Sequence, residues 1–509
     1  MHKLLLLPLI ALIACSSPQT STPETHTDEL PGLASPIRLQ PDTTVIYLSD
    51  YFAKTGPFVA VFNNDTLDVD SLGIITFTLN PNSPISALEV THNKSTYQIP
   101  VFKSKKVSFD FSYVATSKEV KNVALAGSMN GWNPSATPLT FDGTTWSTSL
   151  TLDPAVYQYK IVEDGNWMLD PNNENQLDNG QGAMNSALTI GNPNEKRPVL
   201  DVEIENDSLK ISSDMDGTTF IWWEDKLIGT TQMAKNEIHK IAIPDLAKNI
   251  ERSTIRIWTC TDKSIGDDVM IPLHFDKPIL NPADLTRSDL HNSIMYFLMV
   301  DRFADGDSTN NAPVNDPTIN EKANHKGGDF TGIDHRLNMG YFDSLGMNTL
   351  WISPITLNAE GAWGLWDKGI TSTFSGYHGY WPISSSQIDP HFGTDKSFRT
   401  LIDDAHKHDM NLIVDYVANH VHQNHPVYKL HPDWATSLYL PDGTMNTERW
   451  DEYRLTTWFD TFLATLDLEN PIVADAMTDS ALFWIENYPL DGFRHDATKH
   501  IPENFWRTL

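Results

Sequence analysis

Leu412-Ile413-Val414-Asp415-Tyr416-Val417-Ala418-Asn419-His420 passes from an uninterrupted apolar run straight into polar side chains. A short apolar run is what a strand covered on both faces requires. The same texture recurs in Ile294 to Val300 and in Thr349-Leu350-Trp351-Ile352, and Gly492-Phe493-Arg494 makes a fourth strand. Between these runs Phe398, Leu401, Ile402 and Ala405 fall at helical spacing, as do Val473, Met477, Ala481 and Trp484. Strands alternating with helices predict a parallel sheet over 286–509. The polar residues gather where the strands end.

Strand ends of this kind carry the active site in a (β/α)8 barrel. Upstream the texture is short β-rich runs separated by Asn, Asp and Pro turns, for example Thr43-Thr44-Val45-Ile46-Tyr47-Leu48 and Thr218-Thr219-Phe220-Ile221-Trp222-Trp223. The expected fold is multidomain: N-terminal immunoglobulin-like β-sandwich domains, at 35–105, 106–192 and 197–279, followed by an incomplete (β/α)8 TIM barrel with strands 1 to 4 only.

The first residues, Met1-His2-Lys3 and the apolar run to Ile13, are too short to span a bilayer and predict an export signal over 1–14. Ala14-Cys15 resembles a bacterial lipoprotein processing site, which implies lipid on Cys15 and a membrane-anchored envelope protein. An ordinary secretory signal is the alternative. Residues 15–34, rich in Ser, Thr, Pro and acids, predict a tether. Cys260 is then the only other cysteine, so disulfides do not staple the fold. A formal charge of -30 argues against nucleic acid, which would need clustered Lys and Arg.

Inside the second β-rich block, Gly127-Ser128-Met129-Asn130-Gly131-Trp132-Asn133-Pro134, Tyr157-Gln158-Tyr159-Lys160, Asp164-Gly165-Asn166-Trp167 and Gly182-Ala183-Met184-Asn185 follow in order. Together they resemble the glycogen-binding β-sandwich modules of starch- and glycogen-active proteins. The resemblance implies that Trp132 and Trp167 stack on sugar faces while Lys160 and Asn185 bond hydroxyls. Pyranose rings offer apolar C–H faces and a rim of hydroxyls, which call for aromatic plates plus donors. Docking without sugar binding is the other role such modules take.

The strand-end motifs resemble the α-amylase family of glycoside hydrolases. They are Asp415-Tyr416-Val417-Ala418-Asn419-His420, Gly492-Phe493-Arg494-His495-Asp496-Ala497-Thr498-Lys499-His500, Tyr377-His378-Gly379-Tyr380-Trp381 with Ile388-Asp389-Pro390-His391-Phe392-Gly393-Thr394, and Gly327-Gly328-Asp329-Phe330. The resemblance implies that Asp496 is the nucleophile of a retaining double displacement at α-1,4-glucosidic bonds, oriented by Arg494 two residues earlier on the same strand face. It implies that Tyr380 stacks beneath the sugar, that His378, His420 and Asp415 bond it, and that Lys499 and His500 contact the leaving-group side. The implied partner is starch, glycogen or maltodextrin; neopullulanase, cyclomaltodextrinase and transferase activities stay open.

Asp305-Gly306-Asp307-Ser308-Thr309-Asn310-Asn311 clusters oxygens about a turn, to which Gly327 and Asp329 add. Hard oxygen donors suit Ca2+, and the loop resembles the calcium loop of cyclodextrin glycosyltransferases. A second calcium, through Asn419 and the His500 backbone, is implied more weakly, because Thr465 stands where the family carries an aspartate.

The family places its general acid after a fifth strand, and Glu503 is expected instead to be a helix N-terminal charge. The expectation is therefore that Met1 to Leu509 is the front of a longer protein and inactive by itself. The alternative is a non-catalytic glucan-binding envelope lipoprotein.

Overall fold

The computed structural model describes residues 34–509 apart from 54–55, 79–80, 181, 206–207 and 367–370. The signal segment, Cys15 and all but the end of the tether lie outside the described residues.

In the N-terminal part a five-stranded sheet, built on Phe58–Phe62, Ile85–His92 and Ser95–Phe102, faces the antiparallel pair Thr44–Tyr47 and Ile74–Phe77. Leu48, Phe62, Ile75, Leu88 and Ile99 are sealed between them. The next part repeats the plan. Val107–Tyr113 pairs with Trp146–Leu152 in one sheet, while Ala155–Glu163 is central to the other, flanked by Val123–Gly127 and Met184–Ile190. Phe111, Leu125, Tyr159 and Ile161 fill that interior. In a third part a five-stranded sheet, with Gly217–Trp223 beside Arg252–Cys260, packs on a three-stranded sheet whose middle strand is Ser208–Ser213. Period-2 apolar patterning buries one face of strands such as Ile74–Phe77 and Trp146–Leu152, whereas Gly217–Trp223 and Arg252–Cys260 are buried on both.

The third β part is docked on the first. Ile85 and Phe102 share a small core with Trp222, Trp258 and Cys260. The Trp222 indole donates to the Gln98 carbonyl at 2.9 Å, and the Gln98 side-chain oxygen accepts from Leu227 N–H at 2.8 Å. Burial pushes the Cys260 thiol up to about 11, so it is kept protonated.

The remainder is built on a four-stranded parallel sheet, in the order Met295–Leu298, Thr349–Ile352, Asn411–Tyr416, Gly492–His495. Helices Phe330–Asn338, Asp395–Lys407 and Pro471–Asn487 lie in the connections. Thr394 and Ser397 form a reciprocal capping box at the second, and Asn470 followed by Pro471 opens the third. All eight apolar residues picked out at helical spacing are buried: Phe398, Leu401, Ile402 and Ala405 on one helix, Val473, Met477, Ala481 and Trp484 on the other. They pack with Leu350, Ile352, Leu412 and Val414 of the sheet.

One expectation is corrected. The run Ile294 to Val300 is not covered on both faces: Met295 is 56% and Phe297 43% exposed, while Leu298 is buried. This strand is at the sheet edge, and its alternate side chains point away from the helix-packed face.

Candidate active site

Register brings the polar strand ends together. The third and fourth strands are parallel, with Asp415 opposite Arg494 and Tyr416 opposite His495. The chain runs two residues further to Asp496, whose N–H donates to the Tyr416 carbonyl at 3.0 Å. Ala497 then turns in the left-handed region at φ +51°, where a Cβ is disfavoured. The fourth strand therefore stops abruptly, with the Asp496 side chain at the sheet's C-terminal edge.

Arg494 Nη1 lies 2.8 Å from Asp496 Oδ1 and 3.0 Å from each Asp415 oxygen. The Trp351 indole donates to Asp415 Oδ2 at 3.2 Å, and the guanidinium lies over the Trp351 ring at 5.0 Å. The Tyr380 hydroxyl completes the set, donating to Asp415 Oδ2 at 2.8 Å. Asp415 is 1% exposed. Burial lifts its carboxyl above the usual range, opposed by the bonds from Tyr380 and Arg494. Burial, with the Asp415 charge, raises the Tyr380 phenol far above its ordinary value and keeps it a donor.

The histidines are held neutral. His378 is pushed down to about 3 by burial and the neighbouring His325 and Arg302, and its Nδ1 accepts the Tyr380 N–H at 3.0 Å. Burial also lowers His420, whose Nε2–H donates to the Tyr380 carbonyl at 3.1 Å. Both rings thereby set the backbone of Tyr380.

Above these groups opens a cavity of about 360 Å³ lined by Tyr380, Trp381, His420, Phe459, Phe462 and Asp496. His500 sits against Phe459, and Lys499 beside it. Lys499 pairs with Asp451, and the His500 ring meets the Phe459 ring edge-on at 5.1 Å. Trp351, Trp381, Phe459 and Phe462 were not singled out from the sequence. The two Phe residues lie in a long connection without periodicity, and the only signal they offered was aromatic density.

In the second β part, Trp132, Lys160, Trp167 and Asn185 converge on one concave face of about 630 Å³ with Gln158 and Ser128. Trp167 is 47% exposed, an aromatic plate open to solvent. Asn185 is held by a 2.8 Å bond from its amide to Gln158 Oε1.

The oxygen-rich loop divides in two. Asp329 is fully buried and caps the helix Phe330–Asn338, accepting from Gly332 N–H at 2.6 Å and from Asp307 N–H at 2.8 Å. Asp307 accepts from Thr309 N–H and Oγ1–H, at 3.0 and 2.6 Å. Asp305 and Asn311 instead meet at 2.7 Å. Asn311 packs so closely on Gly327, at φ +83°, that a Cβ there would lie 2.1 Å from its Oδ1. Among the described residues no three His, Cys, Asp or Glu converge as a metal cluster. Two amide oxygens are nonetheless buried without any hydrogen-bond partner, Asn310 Oδ1 and Asn419 Oδ1. Orphaned hard acceptors of this kind fit a cation such as Ca2+. Thr465, by contrast, donates to the Thr457 carbonyl at 2.9 Å. Glu503 stands in the first turn of the helix Glu503–Thr508.

The strand ends thus gather two carboxylates, an arginine and an aromatic floor at one edge of the sheet. Residues 297–507 match the family model of the alpha amylase catalytic domain, and residues 111–196 match that of the glycogen recognition site of AMP-activated protein kinase. Over those residues the chain is similar to an α-amylase catalytic domain preceded by a glycogen-binding-type module. It is similar to the alpha-amylase mde5 of Schizosaccharomyces pombe, 33% identical over 45% of this chain and 42% of that protein. It is also similar to the cyclomaltodextrin glucanotransferase of Thermoanaerobacterium thermosulfurigenes, 30% identical over 44% of this chain and 34% of that one. Among solved structures, the alpha-amylase from Geobacillus thermoleovorans is 35% identical over 42% of each chain, with a TM-score of 0.33. The chain therefore spans about a third to two fifths of the length of these curated relatives.

Proposed function

We propose that the protein carrying this chain hydrolyses α-1,4-glucosidic bonds of starch, glycogen or maltodextrin with retention of configuration. The observation that supports this best is the single guanidinium nitrogen shared between Asp496 and the buried Asp415 beneath an aromatic cleft. Asp496 attacks the anomeric carbon, its oxygen forming the bond to sugar as the glycosidic oxygen departs with a proton from a general acid supplied outside these four strands; water, giving a proton back to that same group, then releases the sugar from Asp496. Arg494 keeps the carboxylate aimed. Tyr380 supplies the floor beneath the ring, and Asp415, turned toward Arg494, Trp351 and Tyr380, holds that floor and the arginine in register.

On this reading the parallel sheet is the first half of a (β/α)8 barrel, the β parts are immunoglobulin-like sandwiches, and the second of them holds glucan on Trp132 and Trp167. Ca2+ would be held by the Asn310 loop, with Asp305, Asn311 and the Gly327 carbonyl, and by Asn419, and would clamp the loops beside the cleft. Lipid on Cys15 would anchor the protein in a bacterial envelope. Palmitate labelling lost in Cys15→Ser tests that anchor.

An activated glycosyl fluoride that forms a slowly released intermediate tests the chemistry, because its leaving group needs little protonation. Mass spectrometry should find the sugar on Asp496 and no adduct in Asp496→Asn. A label on another residue, or one persisting in the variant, would overturn the assignment. Retention on glycogen should fall in Trp132→Ala and Trp167→Ala; unchanged retention would remove the module from the reading.

A further inference from the structure

The glucan-type face of the β module and the catalytic cleft are in contact through one turn. Gly131 and Trp132 both take left-handed backbone, at φ +62° and +59°. Asn130 fixes that turn: its Oδ1 accepts Gly127 N–H at 2.9 Å, and its amide donates to the Leu125 carbonyl at 2.8 Å and to Thr137 Oγ1 at 2.9 Å. A Cβ on residue 131 would lie 2.9 Å from the Asp451 Cβ, so the turn sits directly on the 450–454 segment and only glycine fits the approach.

From Asp451 the contacts continue to the cleft without a break. Its carboxylate takes the Lys499 ammonium, Arg454 Nη1 donates to the Lys499 carbonyl at 2.8 Å, and His500 Nδ1–H donates to the Arg454 carbonyl at 2.6 Å. Trp450 meets Phe459 edge-on at 4.8 Å, and Phe459 stacks on His420 at 4.9 Å. Phe459 is itself a wall of the cavity that holds Tyr380 and Asp496. Trp132 is thus joined to the cleft wall by directly touching groups, while Asp451 and Lys499 are partly exposed along the way, at 39% and 55% of their side chains.

We propose that the module face and the cleft form one continuous binding path. A single linear α-glucan chain lies on the Trp132 platform, crosses the Gly131–Asp451 seam and enters the cleft past Lys499. Aromatic plates at the two ends take the sugar faces, and the Asp451–Lys499 pair offers an acceptor and a donor to the hydroxyl rim between them. This rests on the α-glucan reading above and adds that the module is a part of the cleft's own ligand site, not a separate tether to polymer. The physical consequence is length dependence, because a chain long enough to reach both surfaces binds them as one ligand and gains about 10²–10⁴-fold in affinity over a chain that reaches one.

The test is calorimetry of the 509-residue chain with linear maltooligosaccharides from maltotriose upward. The expected result is a step in affinity of about 100-fold at one chain length. That step, measured as each protein's own ratio of short-chain to long-chain dissociation constants, should collapse in Gly131→Leu and in Asp451→Lys. Trp132→Ala and Tyr380→Ala should lower long-chain affinity non-additively. A smooth dependence on length, or a step that survives both seam variants, overturns the continuous path while leaving glucan binding intact. Failure of every oligosaccharide, maltotriose included, overturns the glucan reading and the path with it.

Discussion

Tyr380 gives its hydroxyl proton to Asp415, 2.8 Å away, so the aromatic floor of the cleft is pinned to a carboxylate that is itself out of solvent. Asp415 also receives Arg494 and the Trp351 indole. Its removal takes this acceptor from three donors, one of them the half-buried Arg494 cation. Asp415→Ala should cost about 3–5 kcal/mol, measured as a shift of the urea midpoint, whereas Asp496→Ala, at the more open end of the same arginine, should cost clearly less. Equal losses would show that Asp415 has no special structural weight.

Stability should fall on the acid side of neutrality. Burial pushes His422 and His425 down to about 4; burial together with the adjacent Arg494 does the same to His495, and His378 falls to about 3. These groups stay neutral in the fold but take up protons in the unfolded chain below its ordinary value of 6.5, so the unfolded state binds more protons there. Their stabilisation is complete above that value and is lost as pH falls toward 4, each adding up to about 1.4 kcal/mol per pH unit. Melting temperatures across pH 4 to 8 measure it. A flat profile below about pH 6.5 would contradict the neutral assignment.

The cost of two substitutions should depend on calcium. Asn310 Oδ1 and Asn419 Oδ1 are buried and unpartnered, so without a cation each costs about 1–3 kcal/mol of lost hydration. In chelator, Asn310→Ala and Asn419→Ala should be close to neutral in melting temperature. With added calcium the parent chain should gain about 2.7 kcal/mol at a hundredfold excess over Kd, and each variant should lose part of that gain. Identical shifts in parent and variants would place the cation elsewhere.

The last helix is tied to the first β part by Arg507, whose guanidinium reaches Asp50 through Nε at 2.8 Å and Nη2 at 3.2 Å and lies 3.8 Å over the Tyr47 ring. Arg507→Ala should cost about 1 kcal/mol, the sum of a partly exposed ion pair and a cation–π contact. It should also speed limited proteolysis between the β parts and the parallel sheet. An unchanged cleavage rate would mean that other contacts hold the two together.

Local chemistry was legible where one residue type has one physical use. The apolar run ending in Asp415 specified a buried strand with a polar end, and helical spacing marked the faces of 395–407 and 471–487 that are in fact buried, because period and hydrophobicity act over a few residues. Trp132, Lys160, Trp167 and Asn185 were likewise readable as a set from their order along the chain, and they do share one concave face. Tertiary structure alone decided which way the carboxylates turn and which aromatics close the cleft. Whether Asp329 serves a cation or a helix cap depends on where Gly306, Asp307 and Gly332 point their N–H groups. That Phe459 and Phe462 wall the cleft depends on an irregular connection folding back over the third strand. The contact of Gly131 with Asp451 joins residues more than three hundred positions apart. Such contacts are set by how separately folded layers pack, and that packing leaves no periodic trace in the chain.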